Sequence, residues 1–538
     1  MTLNRRDFLV QAGVAGAAAT IGLELGGVGP AEAQEHVLSI ALAARSPGGL
    51  NPQQTGLTGG DNWAICQLFD CLVNSADGTF GFTPADFRPE IAESFEASAD
   101  AKTWTYHIRK GVKFHKGYGE VTADDVVFTF GRLIDPKIVT NGKAQYQNID
   151  KVEAVDLLTV KFTLKLPDPL FNGACAATLP ASILCRKAFE EKGAEKFKFD
   201  PIGTGPFQVN KVDPTSYVLL DANPDYFGDK AASRQLKIQY IADTTARTLA
   251  FLSGQIDMME GARTPGWIPG IKQRAPKTIF DETKPGSFNH LLLNLTKKPF
   301  DDVRVRQAVR YAIDNAAIAK AYGELATPMV GMIASQFPGA VRAEDLPPEL
   351  QYKPDVAKAK QLLAEAGYPS GVTVQCFTSQ REDYSAIMLM IQEQLRAAGI
   401  VLDMKIIDHA TFHNQTAKDL NPIALNSSSY PPVPTQPLLD QLSSRSEVKA
   451  DGSGGTNYSH YGVAMKGVDD LLTQANGEPD FTKRIALVQQ IEEQVLKDLP
   501  DMGIITLSYV IARNPRVDLG FPVKSGYAYW PLHKAKYV

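Results

Sequence analysis

Residues 293–314, LNLTKKPFDDVRVRQAVRYAID, hold a strand end, a turn and a capped helix in one short block. Asn294 interrupts the apolar run Leu291-Leu292-Leu293, and Pro299 punctuates the turn. Asp301 offers a carboxylate to the free N–H groups at the start of the helix that follows. Val303, Val305, Ala308, Val309, Ala312 and Ile313 recur at helical spacing, so this helix is predicted to lay one face on a core. A buried strand that passes within a few residues into an amphipathic helix is the local grammar of a layered protein.

Working outward, the chain opens with Asn4-Arg5-Arg6-Asp7-Phe8-Leu9, a weakly apolar Ala/Gly stretch and the small-residue pattern Ala31-Glu32-Ala33. This order reads as a twin-arginine export signal over residues 1–33, with mature protein beginning near Gln34. No cysteine follows the cleavage pattern to carry a lipid, and no later run approaches the roughly 18 apolar residues a membrane helix requires. A periplasmic protein that is not membrane-embedded is expected.

Of 538 residues, the 505 left after such a signal exceed what one core usually serves, so two or three domains are expected. The formal net charge of −5 is too small to imply a nucleic-acid partner. Five cysteines cannot all pair, which excludes a disulfide scaffold. Cys175 and Cys185 are spaced either to bridge a short excursion or to sit as small buried thiols. If 61–73 is helical, Cys66 and Cys71 point too far apart around it to bridge.

Leu38, Ile40 and Leu42 alternate as a strand should, and residues 47–60 form a turn-rich loop carrying Leu50-Asn51-Pro52 before a helix through Trp63, Leu68 and Leu72. Trp104, Tyr106 and Ile108, and later Val160, Phe162 and Leu164, alternate within residues 77–200, which read as a small α+β insertion. Residues 236–241, 244–253 and 256–259 then read as strand, helix and strand. Beyond 293 the helices lengthen. Residues 354–366 and 384–398 each stop at a glycine, a strand follows over Ile400, Leu402, Met404 and Ile406, and strand character returns over 503–512.

Several blocks carry a resemblance: the opening stretch, Leu50-Asn51-Pro52, Arg88-Pro89-Glu90-Ile91-Ala92-Glu93-Ser94, 108–115 (IRKGVKFH), Thr122-Ala123-Asp124-Asp125-Val126 and Gly203-Thr204-Gly205-Pro206-Phe207. Together they resemble the extracytoplasmic solute-binding proteins of family 5, the receptors of peptide and nickel ABC importers. The resemblance implies an α/β, periplasmic binding protein-like fold with two lobes, an inserted small α+β domain and two crossing strands as hinge. Its expected parts are lobe I over 34–76, 201–292 and 505–538, the insertion over 77–200, and lobe II over 293–504. It implies a small-molecule solute, an ABC permease with cytoplasmic ATPases as partners, a monomer, and no cofactor. A sensor presenting solute to a membrane signalling receptor is the reading of another class.

Carried over position by position, the resemblance implies a ligand site between the lobes. Leu57, Thr58 and Asn62 come from the loop after Leu50-Asn51-Pro52, Glu260 and Arg263 from the end of the strand–helix–strand unit, and Asn289 and His290 from the first crossing strand. Arg381, Tyr384 and the loop Asn426-Ser427-Ser428-Ser429-Tyr430 come from the second lobe. Peptide-binding relatives carry a Trp and then an Asp-Tyr pair in that last loop, the Asp pairing with the ligand's α-ammonium. Here Asn426 and Ser429 stand in its place, so the expected carboxylate is absent. Burying an ammonium without a countercharge costs several kcal/mol, so a free amino terminus would be held only if Glu260, Asp61 or Asp383 took over. Serine hydroxyls with the Asn289 amide suit a hydroxylated solute, while Arg263 or Arg381 can fork onto a carboxylate.

His409 and His413 are spaced i, i+4, which opens a metal or metal-chelate reading against a default of surface histidines. No G-x-S-x-G elbow, H-E-x-x-H helix, P-loop or dinucleotide fingerprint is present, and no catalysis is expected.

Overall fold

Leu38–Leu42 is buried at all five positions, because it runs in the middle of a sheet covered on both faces. The expected strand forms there, with the intervening Ser39 and Ala41 buried as well. The structure is a computed structural model that describes residues 36–452 and 454–538. The expected export signal and Ser453 lie outside the described residues. No helix among them is long and apolar enough to cross a membrane.

Among the described residues one sheet of ten strands organises the molecule, eight of them along one path and two, Ala326–Pro328 and Ser525–Gly526, paired off it to Asp501–Arg513 and Ile279–Leu293. Its path runs Ile423–Ser428, Ile279–Leu293, Asp501–Arg513, Met258–Glu260, Leu38–Leu42, Gln235–Tyr240, Tyr217–Ala222 and Phe207–Asp213. Gln235–Tyr240, the helix Thr244–Leu252 and Met258–Glu260 make the expected strand–helix–strand unit, and Leu38–Leu42 lies between its two strands, parallel to both. The two longest strands, Ile279–Leu293 and Asp501–Arg513, pair antiparallel and link the two halves. Their register shifts between Thr283 and Ser287. There Gly286 has φ +73°, and a Cβ on it would meet the Leu507 carbonyl oxygen at 2.2 Å, so the bulge admits only glycine.

Between these strands in sequence, the chain builds a helical layer around a parallel pair, Val372–Ser379 with Ile400–Ile407. The opening block supplies its first helix, Val303–Ala312. The N-cap is Asp302, which accepts from Arg304 N at 2.9 Å, and not Asp301, which pairs instead with Lys298. Both aspartates suit the cap chemically, and the turn geometry chooses between them.

Residues 92–164 form a separate antiparallel sheet of four strands in the order Ala92–Ala97, Thr103–Ile108, Thr159–Leu164, Ile149–Ala154. The helix Ala123–Ile134 packs on it, opened by a reciprocal cap between Thr122 and Asp125. The first helix covers Gly59–Leu68, shorter than expected, so Cys71 lies beyond its end. Cys175 and Cys185 are buried free thiols, as is Cys71, and the bridge does not form.

Candidate functional site

The loop Pro201-Ile202-Gly203-Thr204-Gly205-Pro206-Phe207 presses against the end of the first helix so closely that a Cβ on Gly203 would lie 2.0 Å from the Leu68 carbonyl oxygen. Gly205 N donates to that same oxygen at 3.0 Å, and Thr204 Oγ1 donates to Asp70 Oδ2 at 2.7 Å. The glycines therefore set the position of Asp70. Tyr226 donates to its other oxygen at 3.1 Å. Glu90 accepts from Cys71 N at 2.7 Å and from Asn74 Nδ2 at 2.9 Å. Burial, and after it the charge of the other carboxylate, raises Glu90 above the usual carboxylate range; burial raises Asp70 as well.

These two acids line a cavity of about 540 Å³. Its aromatic wall includes Phe80, Phe227, Tyr527, Tyr529 and Trp530, and Pro432 closes it from the second half. Phe80 meets Tyr527 edge to face at 4.7 Å, and Tyr527 stacks on Tyr529 at 5.5 Å. At the basic side, Lys534 pairs with Asp77 at 2.8 Å and Arg88 lies 3.8 Å from it. Arg109 sits over the Phe227 ring and donates to the Glu90 backbone carbonyl, not to its carboxylate.

A second polar cluster joins the two halves. Arg263 donates to Asp383 Oδ2 at 2.8 Å and to Ser287 Oγ at 2.9 Å, with its guanidinium 4.5 Å from the Tyr509 ring centroid. Arg381 grips the same Asp383 at 3.0 and 2.7 Å. Two guanidiniums thus share one carboxylate. Ser429 Oγ lies 2.8 Å from the Tyr509 hydroxyl, and Tyr384 donates to the Ser427 carbonyl at 3.2 Å. Burial holds the Tyr529 hydroxyl, in the cavity wall, well above its ordinary pKa, with a lesser contribution from its neighbour Tyr527 and the least from Tyr509.

A family model described as bacterial extracellular solute-binding proteins, family 5 Middle, matches residues 86–449. The chain belongs to this family. Family 5 proteins are the substrate-binding components of ABC importers, and neither the family nor its relatives are enzymes. The dipeptide-binding protein of Escherichia coli (strain K12) is 29% identical over 509 residues, 88% of this chain and 90% of that one. Among solved structures, MoaA from A. tumefaciens R10 in complex with mannopinic acid is 32% identical with TM-score 0.79, covering 93% of this chain and 99% of that one. DppA from Helicobacter pylori in complex with the peptide STSA is 25% identical with TM-score 0.75, covering 93% and 98%. The fold is that of the family: two lobes, an inserted small α+β domain and two crossing strands between them.

Within this family 5 chain the residues singled out from sequence fall into three groups, and none lines the cavity. Arg263, Arg381, Tyr384, Ser427 and Ser429 meet in the cluster just described. Thr58 caps the first helix with Asp61, Leu57 packs on the core, and Asn62 Oδ1 is buried with no partner among the described residues. Glu260 Oε2 lies beside Gly59 and accepts from Ala43 N at 2.8 Å.

The third group is largely buried, and Asn289 Oδ1 and His290 Nε2 have no hydrogen-bond partner among the described residues. Asn289 and His290 are fully buried, since the crossing strand is covered on both sides. Asn289 Nδ2 donates to the Ser287 and Ile505 carbonyls, and His290 Nδ1 lies 2.9 Å from Asp501 Oδ1. Asn426 is buried opposite His290 in the sheet register, beside Ser428, which pairs with Phe288. Tyr430 is buried with its ring against Phe288 and its hydroxyl bonded to Gln441.

The three carboxylates named as substitutes for the missing aspartate are all engaged by the protein. Asp61 accepts from Gly48 N, Thr58 and Tyr240; Glu260 from Ala43 N; Asp383 from both arginines. His409 and His413 do share a face, with ring centroids 4.5 Å apart, because residues 409–417 are one continuous helix. Burial lowers the pKa of each, aided by the Arg381 charge at His409 and by His409 and then Arg381 at His413. No group of three or more potential ligands for a metal ion occurs among the described residues.

Sequence reasoning passed over Asp70, Glu90 and the C-terminal aromatics. Glu90 and Gly203-Thr204-Gly205 were legible only as family markers. The aromatic run Tyr527-Ala528-Tyr529-Trp530 was the available signal for a wall.

Proposed function

We propose that this chain is a periplasmic receptor that captures a carboxylate-bearing, hydroxylated solute between its lobes and delivers it to an ABC permease driven by cytoplasmic ATPases. The observation that carries the reading is the cluster of Arg263 and Arg381 around the single Asp383, with Ser429 and Tyr509 hydroxyls beside it. Two cations against one anion leave one positive charge unbalanced where the lobes meet, and guanidinium forks match a carboxylate. The loop that holds an ammonium-pairing aspartate in peptide receptors has serines here, which disfavours a peptide in the usual pose. The mannopinic acid complex of the 32%-identical relative supports the same ligand class.

In this reading the lobes comprise 34–76, 201–292 and 505–538 on one side and 293–504 on the other, with 77–200 inserted. Export follows the twin-arginine route, the receptor is a monomer, and solute stabilises the closed state by touching both lobes. Mass spectrometry of small molecules released by denaturing protein purified from its own periplasm tests it. A hydroxylated acid is expected; recovery of ordinary dipeptides would overturn the ligand class. Deletion of the gene is expected to abolish uptake of that acid, and a lost response with normal uptake would make the chain a sensor instead.

A further inference from the structure

The cavity of about 540 Å³ holds two carboxylates that no cation among the described residues answers. Among the described residues no Lys, Arg or His nitrogen lies within 4.0 Å of a carboxylate oxygen of Asp70 or Glu90, although Arg88, Arg109 and Lys534 share the cavity wall. Those three are committed elsewhere: Arg88 and Lys534 to Asp77, Arg109 to a backbone carbonyl and the Phe227 face. A buried Asp70 and a half-buried Glu90 that share one cavity without a countercharge are costly, and a cation placed between them relieves the cost.

Two further groups mark the wall as unfinished without a ligand. Trp530 and His533 are buried, at 4% and 8% exposure, and Trp530 Nε1 and His533 Nδ1 have no hydrogen-bond partner among the described residues. Both residues line the cavity. A buried donor left unpaired loses the hydration it had in the unfolded chain and gains nothing in return, and a hydroxylated guest supplies the acceptors. The aromatic rings of Tyr527 and Tyr529 complete a surround that attracts a cation through the ring quadrupoles.

We infer that this cavity is a cation subsite, in which Glu90 and Asp70 hold an ammonium group of the solute against the aromatic wall. The inference rests on the reading of the chain as a solute receptor and sharpens it. The solute would carry its amine in the cavity and its carboxylate toward Arg263 and Arg381. The ammonium is then recognised by a carboxylate pair in the first helix–insertion region, in place of the second-lobe aspartate that this chain lacks.

The test uses the full mature chain, freed of bound solute by unfolding and refolding, and three polyols measured by titration calorimetry. N-methylglucamine carries an ammonium, gluconate carries a carboxylate, and sorbitol carries neither. N-methylglucamine is expected to bind at least tenfold more tightly than sorbitol to the wild-type chain, and Glu90→Gln is expected to remove that advantage. Equal binding of N-methylglucamine and sorbitol by the wild type overturns the inference, and so does an unchanged preference in a folded Glu90→Gln variant. Should Glu90→Gln not fold, the wild-type comparison alone decides. Gluconate reports separately on the arginine cluster, with binding expected to weaken in Arg263→Met. Gluconate binding without a preference for N-methylglucamine sinks the cation subsite and leaves the proposed function standing; the converse sinks the arginine reading; no binding of any polyol overturns both.

Discussion

Replacing Arg263 by methionine removes the one strong ionic contact that the cluster makes between a residue before the first crossing strand and a residue between the two crossing strands. Arg263 and Asp383 have side-chain exposures of only 13% and 10%, so their 2.8 Å contact is poorly screened. A hydrogen bond to a charged partner contributes about 1.5–3 kcal/mol. Asp383 keeps both bonds from Arg381 in the variant, so no buried charge is orphaned and the larger penalty of about 3–5 kcal/mol for breaking a buried pair does not apply. Since about 1.4 kcal/mol is a factor of ten, the ratio of joined to separated lobes in the solute-free chain should fall roughly 10- to 100-fold. Fluorophores placed one on each lobe read this ratio as a distance distribution, and small-angle scattering reads it as expansion. Arg381→Met is the control. Arg381 sits two residues from its partner and its side chain is half exposed, so its loss should cost about 1 kcal/mol or less and leave the lobe distance unchanged. Equal behaviour of the two variants, or no expansion in Arg263→Met, would refute the assignment of Arg263 as the contact between lobes.

Further expectations come from buried groups away from the cluster. Glu492 is fully buried, accepting from the Met332 and Ile333 N–H groups at 3.1 Å, and burial pushes its pKa up to about 8 from an ordinary 4.5. Between those values the folded chain keeps a proton the unfolded chain has released, so this contribution is complete below about pH 4.5 and is lost as pH rises through about 8. Melting temperatures should therefore fall less steeply from pH 5 to 8.5 in Glu492→Gln than in wild type; parallel curves would exclude it. Arg484 has no exposed surface and binds Asp168 at 2.7 Å and the Ala475 carbonyl at 2.9 Å, so Arg484→Met should destabilise by about 3–5 kcal/mol, with partial recovery in the double variant with Asp168→Asn. Gly203→Ala forces a backbone shift at Leu68, which should cost about 1–3 kcal/mol in stability and, by displacing Thr204 from Asp70, weaken N-methylglucamine binding.

The layering of this protein was legible because periodicity and punctuation agree at most element boundaries. Helix stops at Gly367 and Gly399, the strand over 400–407 and the reciprocal Thr122–Asp125 cap all follow from local chemistry. Leu38–Leu42 shows where such reading stops: alternation reports the residue types on a strand, while burial on both faces depends on which neighbours the chain brings back from positions 235–240 and 258–260. The site was less legible for the same reason. Asn289 and His290 are polar residues on a strand, and nothing local says that Asp501 and Ile505 will cover them. Asp70 and Glu90 stand in stretches that read as scaffold, and only the fold brings them together with Trp530 and His533 from the far end of the chain.

The arrangement of charges also constrains how solute and closure are coupled under the proposed reading. If Asp383 were paired with one arginine only, a solute carboxylate would compete with it, and binding would loosen the contact between lobes. With Arg263 and Arg381 both turned on Asp383, an arriving carboxylate adds a second anion to a pair of cations, so each guanidinium can keep one. Binding then strengthens the joined state without dissolving the contact that already favours it, which is the sign of coupling a closure signal requires. The cation subsite stands outside this exchange: Glu90 and Asp70 take no part in the Arg263–Asp383 contact. An ammonium held there adds affinity and selectivity, while the carboxylate end of the same solute carries the message that the lobes have met.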